Sequence, residues 1–176
     1  MPQKFNLLVS TTTGNRRHVH YELSNVLKIV GEEPPIIEET TCAGLFTVET
    51  RQNPFDVISK LRELLMDKPW YFRLTLKFRP IEIITKTNLN AIVKASRFFL
   101  SRIMNNETFM IKVEKHLTDL KREEVIEATA SIIERKVDLV NPDKILLIEI
   151  LGERSGLALI KKEDVLSIIK EKRLSL

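Results

Sequence analysis

Two groups of residues in this sequence could engage a ligand, and both are cationic. The first is compact. Lys112, Lys115, His116, Lys121 and Arg122 lie at the end of one expected strand, in the link after it and at the start of the next helix. A loop histidine among cations suits stacking on a base or contact with phosphate. It equally suits a hydrogen bond to a backbone carbonyl. The second group is longer. From Lys68 to Arg102 there are eight Lys or Arg and one acid, Glu82. Arg73, Lys77 and Arg79 fall on one face of an expected strand there, and Lys86, Lys94 and Arg97 follow. Such a row fits the phosphate backbone of nucleic acid. It also fits a solvated strand whose charges guard an edge.

The chemistry of catalysis is missing from the pattern. There is no GxGxxG or GxxxxGK(S/T) phosphate loop, no HExxH and no GxSxG elbow. Ser10–Gly14, STTTG, follows a strand and precedes a helix, where an anion could sit. A bare polar turn of that kind is more often structural. His18 and His20 point to different sides of a helix, and Cys42 is the single cysteine. Neither a disulfide nor a zinc site is expected. The acid pairs Glu32–Glu33 and Glu38–Glu39 read as a solvated or partner-facing surface, because Gly31 to Thr50 holds five acids and no Lys or Arg. No catalytic residue, metal or cofactor is expected.

The elements that must position these groups follow from hydrophobic spacing. With 176 residues, 43% apolar and 30% charged, the chain should form one ordinary domain or two small ones. No basic leader precedes a long apolar run, and no stretch reaches the ~20 apolar residues of a membrane span. A soluble, cytoplasmic protein with no membrane partner is expected, and the lone cysteine fits that compartment. Alternation around Phe5, Leu7 and Val9 predicts a strand, and Val19, Leu23, Val26, Leu27 and Val30 a helix over 16–30. Two extended pieces follow, then a helix started by Asn53-Pro54, then a strand over Phe72–Arg79. Phe72, Leu74, Leu76 and Phe78 should face its core, and Arg73, Thr75, Lys77 and Arg79 the other side.

This βαββαβ order predicts a ferredoxin-like sandwich over residues 1–82. Pro80 to Thr87 reads as a connector. A helix over Leu89–Met104, a strand over Thr108–Lys115 and a loop over His116–Asp119 come next. A second helix extends toward Lys136, capped by Thr118 or Asp119. After the Asn141-Pro142-Asp143 turn, Ile145–Leu151 reads as a central strand, Gly152–Gly156 as a loop and Lys162–Lys172 as a terminal helix. The class is mixed α+β and α/β, with a second domain over 83–176 and the basic seam between the two.

From Phe109 to Ile160 the sequence closely resembles a THUMP domain, in VEK-H, the helix after it, VDLVNPDK, ILLIEILG and the G-hydrophobic ending. The βαββαβ unit resembles the domain that usually precedes THUMP. The match ends near Leu166 and the sequence at Leu176, with no room for a catalytic domain. The NPDK and EILG wording is most similar to the stand-alone tRNA-binding adaptors of the RNA cytidine acetyltransferase. The resemblance therefore implies a non-enzyme that binds tRNA near its acceptor end and presents it for acetylcytidine formation. It implies contacts from Lys112, Lys115, His116, Lys121, Arg122 and Arg154, and no role in binding DNA. Two other functions stay open: a THUMP module serving another tRNA-modifying enzyme, and a protein-interaction scaffold using the acidic Gly31–Thr50 region.

Overall fold

The computed structural model describes residues 4–174. Its contacts form two units. One runs to Ile81 and takes back the segment from Glu163, and the other spans Glu82–Lys162.

The first unit contains β1 (Leu7–Thr11), α1 (Arg16–Ile29), β2 (Ile36–Glu39), β3 (Leu45–Glu49), α2 (Pro54–Asp67) and β4 (Thr75–Pro80). Both helices begin at asparagines. Asn15 accepts hydrogen bonds from the N–H groups of Arg17 and His18, and Asn53 from that of Phe55. These caps satisfy donors that a helix start leaves open. The strands run in the order β4-β1-β3-β2, with every neighbour antiparallel. Leu7, Val9, Phe46, Val48 and Phe78 share a core with Val19 and Leu23 of α1 and Ile58 and Leu61 of α2.

The start of β4 differs from the alternation in the sequence. Pairing with β1 slips, so that Ser10 opposes Lys77 but Thr11 opposes Thr75. Leu76 is the extra residue of a bulge, and a bulge re-aims what precedes it. Thr75 leaves the face of Lys77 and Arg79, and its N–H and hydroxyl both donate to Glu22 of α1 at 2.8 Å. The same carboxylate accepts the N–H groups of Arg73 at 3.0 Å and Leu74 at 2.9 Å. Glu32 does similar work. It is buried and accepts the N–H groups of Arg51 and Gln52, so it is not the surface acid its neighbours suggest.

The C-terminal segment belongs to this first unit, not to the second domain in which the sequence reading placed it. β10 (Leu166–Ser167) adds to the free edge of β4, and α5 (Ile168–Leu174) follows. Leu166 and Ile168 enter the first core. Arg62 of α2 holds the return by donating to the carbonyls of Glu163 and Val165 and pairing with Glu171 at 3.3 Å.

The second unit contains β5 (Ile83–Lys86), α3 (Leu89–Ser96), a 3-10 turn (Arg97–Arg102), β6 (Thr108–His116), α4 (Arg122–Ala130), β7 (Lys136–Val137), β8 (Lys144–Leu151) and β9 (Arg154–Ile160). The order is β5-β9-β8-β6-β7, with β6 parallel to β7 and β8 and the other pairs antiparallel. α4 makes the crossover that parallel strands require. Ile92 and Phe99 pack with Val125 of α4 on Phe109, Ile111, Ile148 and Ile150.

Four expectations change here. The connector contains β5, paired with β9. The Gly152–Gly156 loop shrinks to a Gly152-Glu153 turn, with Gly152 at φ +63°. The helix over 89–104 tightens at Arg97, after Ser96 turns its hydroxyl onto the Ile92 carbonyl at 2.8 Å. α4 ends at Ala130, and Arg135 donates instead to the carbonyls of Ile103 and Met104.

The Pro142 turn is fixed by two carboxylates. Asp143 accepts the backbone N–H of Thr108 at 2.7 Å and its hydroxyl at 2.9 Å. Asp138 accepts the N–H groups of Asn141 and Val140. These bonds hold both carboxyls below the ordinary aspartate range, the backbone donor being the main cause in each. Among the described residues no helix is long and apolar enough to cross a membrane.

Glu22→Ala leaves three amides without their acceptor and should cost about 2 kcal/mol, read as a lower urea midpoint at unchanged slope. An unmoved midpoint would contradict that role. Asp143 contributes stability above its unfolded pKa, lost as pH falls through the depressed folded value. Asp143→Asn should therefore lose less stability than the native chain between about pH 5 and about pH 3. Equal losses would show that the Thr108 bonds do not matter energetically.

Candidate nucleic-acid interface

Register brings part of the predicted set together at one end of the second sheet. Lys86 opposes Arg154, Arg154 opposes Leu151, and Leu151 opposes His116. Directly opposed residues share a sheet face, so Lys86, Arg154 and His116 lie in one row across four strands. His116 is the last residue of β6, not a loop residue, and its carbonyl accepts the Gly152 N–H at 2.9 Å. Arg154 likewise starts β9 instead of ending a loop.

Lys115 points to the opposite, helix-covered face, the side of Val113 and Ile150. Its ammonium donates to the Leu120 carbonyl at 2.8 Å and so fixes the β6–α4 link. Leu117 in that link has φ +51° and is exposed. Lys121 is the N-cap residue of α4, where Thr118 or Asp119 was expected, and no side chain caps the helix. Lys112 and Arg122 approach Glu114 at 3.8 and 3.9 Å. This sheet end is electrostatically mixed. Its cations Lys86, Lys112, Lys115, Lys121, Arg122 and Arg154 share these segments of the chain with Glu114, Asp119, Glu123, Glu124 and Glu153.

The surface of α3 and its 3-10 extension is different. Lys94 and Arg97 are exposed. Between Ile83 and Asn106 the chain has four Lys or Arg and no acid. The acids that bracket the stretch are committed elsewhere. Glu82 accepts the Leu159 N–H at 2.8 Å and pairs with Arg102 at 2.7 Å, and Glu107 accepts the Met104 N–H at 2.8 Å. Arg102 also lies 5.5 Å over the ring of Phe99, as the close i, i+3 stacking of a 3-10 turn favours.

Phe98 was missing from the sequence-based set. It is 70% exposed while Phe99 is buried. Its position gave no signal, because adjacent residues of one helix can both be buried, as Val26 and Leu27 are in α1.

Arg73, Lys77 and Arg79 belong to the first unit and do not form the expected exposed row. Arg73 is exposed but precedes β4, beyond the bulge. Lys77 is half-buried. Arg79 is only 7% exposed, and its guanidinium donates to Ser10 Oγ at 2.8 Å. The STTTG turn borders a cavity of about 80 Å³ with Arg16, Glu39 and Gly44. Asn15 already occupies the first amides of α1 there, and Arg16 pairs with Glu39 at 3.0 Å. The N–H groups of Thr11 and Thr12 donate to the Gly44 and Leu74 carbonyls. Among the described residues no group of His, Cys, Asp and Glu is placed to hold a metal ion.

Residues 86–159 match the family model of the THUMP domain. Comparison with curated proteins gives no match. Solved structures do match. PH1313 from Pyrococcus horikoshii Ot3 superposes with a TM-score of 0.61 at 14% identity, covering 93% of this chain and 55% of that one. TrmN from Thermus thermophilus gives 0.61 at 14% identity, covering 89% and 45%. A 4-thiouridine synthetase, in complex with RNA and bound ATP, gives 0.54 at 15% identity, covering 93% and 42%. At these identities the likeness is one of fold, and the chain spans about half the length of the structures it matches. Over residues 86–159 this chain is similar to the THUMP domain.

Proposed function

We propose that this protein is a non-catalytic tRNA-binding adaptor that presents tRNA to an RNA cytidine acetyltransferase. The carrying observation is the THUMP match over residues 86–159, together with exposed Lys94 and Arg97 in a stretch of sequence around α3 that contains no acid. The 4-thiouridine synthetase of similar fold, solved in complex with RNA, supports RNA as the ligand. The first unit is read as ferredoxin-like on its strand order β4-β1-β3-β2. The buried, unpaired Cys42 fits a reducing cytoplasm.

In this reading Lys94 and Arg97 attract the phosphate backbone, and the Lys86–Arg154–His116 row at the sheet end meets RNA by shape. Phosphate contacts position without reading sequence, which suits a protein that serves more than one tRNA. The acetyltransferase supplies the chemistry and its cofactors, and this chain supplies none. The enzyme neighbours favour one second reading, a THUMP module that serves a different tRNA-modifying enzyme.

Binding of tRNA should weaken steeply with salt. Lys94→Glu combined with Arg97→Glu should lower affinity by at least tenfold and reduce the salt slope by about two. Equal affinity for the charge-reversed chain would sink the α3 assignment. Acetylcytidine formation by a cognate acetyltransferase, with tRNA, acetyl-CoA and ATP, should need the native chain. Intact tRNA binding with acetylation indifferent to the chain selects the second reading.

A further inference from the structure

We infer that Phe98 is a stacking platform for an unpaired base of the bound RNA. The inference rests on the RNA-binding reading and adds a residue and a ligand group to it. A phenyl ring left 70% exposed forgoes the burial that ordinarily places Phe inside a protein. Tyr21 and Trp70 are also exposed, but each has a polar tip that tolerates water, and Trp70 leans on Tyr71 at 6.3 Å between centroids. Phe98 has no such polar handle.

Its surroundings indicate which ligand covers it. Arg97 is its neighbour in the chain and Lys94 lies one turn upstream, both exposed. No acid occurs from Ile83 to Asn106. A protein partner would have to bring carboxylates to an isolated ring. A nucleic-acid strand brings phosphates and a flat π-face together, and aromatic rings flanked by cations are how single strands are held without sequence readout. The local fold holds the ring out. Ser96 bonds back to Ile92, the chain tightens at Arg97, and Phe99 anchors the turn in the core under Arg102.

The test uses the full chain and two labelled RNA hairpins, one with a short unpaired tail and one blunt. Phe98→Ala and Phe98→Leu should each weaken the tailed hairpin roughly ten- to hundredfold and leave the blunt one unchanged. Phe98→Trp should keep affinity, and in a Trp70→Phe background its emission should be quenched by the tailed hairpin. Thermal midpoints should stay at the native value, because the ring packs on little. If the native chain binds the tailed hairpin but Phe98→Leu binds it equally well, or if both hairpins weaken alike, the inference fails and the RNA-binding reading stands. If the native chain binds neither hairpin, both fail. If Phe98→Ala instead abolishes self-association in sedimentation, the ring is a protein contact and the inference is overturned.

Discussion

One carboxylate decides how the first unit is threaded. Glu22 accepts three consecutive backbone amides, from Arg73, Leu74 and Thr75, and so specifies where β4 begins. Backbone N–H groups at the entrance to a strand would otherwise face water or go unpaired, and an ionised acceptor binds them about twice as well as a neutral one. Fixing that entrance fixes the bulge, and the bulge fixes which face Thr75 and Lys77 take. Leu166 and Ser167 pair with Phe78 and Lys77, just past that bulge, so the C-terminal segment joins a strand whose start Glu22 specifies.

The same device recurs at three other places where the chain changes direction. Glu32 holds the approach to α2, Asp143 locks the start of β6 to the start of β8, and Glu82 ties β5 to β9. Each consumes an acid in building the backbone. A formal charge of only +4 thus hides a local asymmetry. The two acids flanking α3 are spent on amides and on Arg102, while Lys94 and Arg97 remain exposed. Net charge alone would have undervalued this surface, because it counts a buried structural carboxylate and a solvated lysine equally.

Most elements were legible from hydrophobic spacing because their cores are local. Val19, Leu23, Val26 and Leu27 predict α1, and they are the residues it buries. The coarse reading as two mixed α/β segments, the second similar to a THUMP domain, also followed from the residues. What was illegible depended on partners far away in the chain. β5 is a short strand that exists because β9 pairs with it, and β10 exists because β4 has a free edge. The cationic row on β4 failed for a related reason: strict alternation assumes no bulge, and one inserted residue breaks it. Arg79 shows the other failure, since nothing in its sequence position says that its side chain is buried.

The two cationic regions of the second unit have different physical capacities, and that bears on how they would divide RNA binding. At the sheet end, Glu114 stands 3.8 and 3.9 Å from Lys112 and Arg122, which weakens their field beyond about 8 Å, a Debye length at physiological salt. That end can recognise a shape at contact but cannot attract it from a distance. Its rigidity suits the task, because Lys115 pins the β6–α4 link and the Gly152 turn closes on His116. The α3 surface is the reverse. Lys94 and Arg97 are exposed there in a stretch of sequence without acids, and they are long side chains with little to orient them. An exposed aromatic ring beside them adds what cations lack, a flat apolar face on which a base can stack. On the proposed reading, attraction and alignment are then both properties of α3, and the sheet end tests the fit of what has been drawn in.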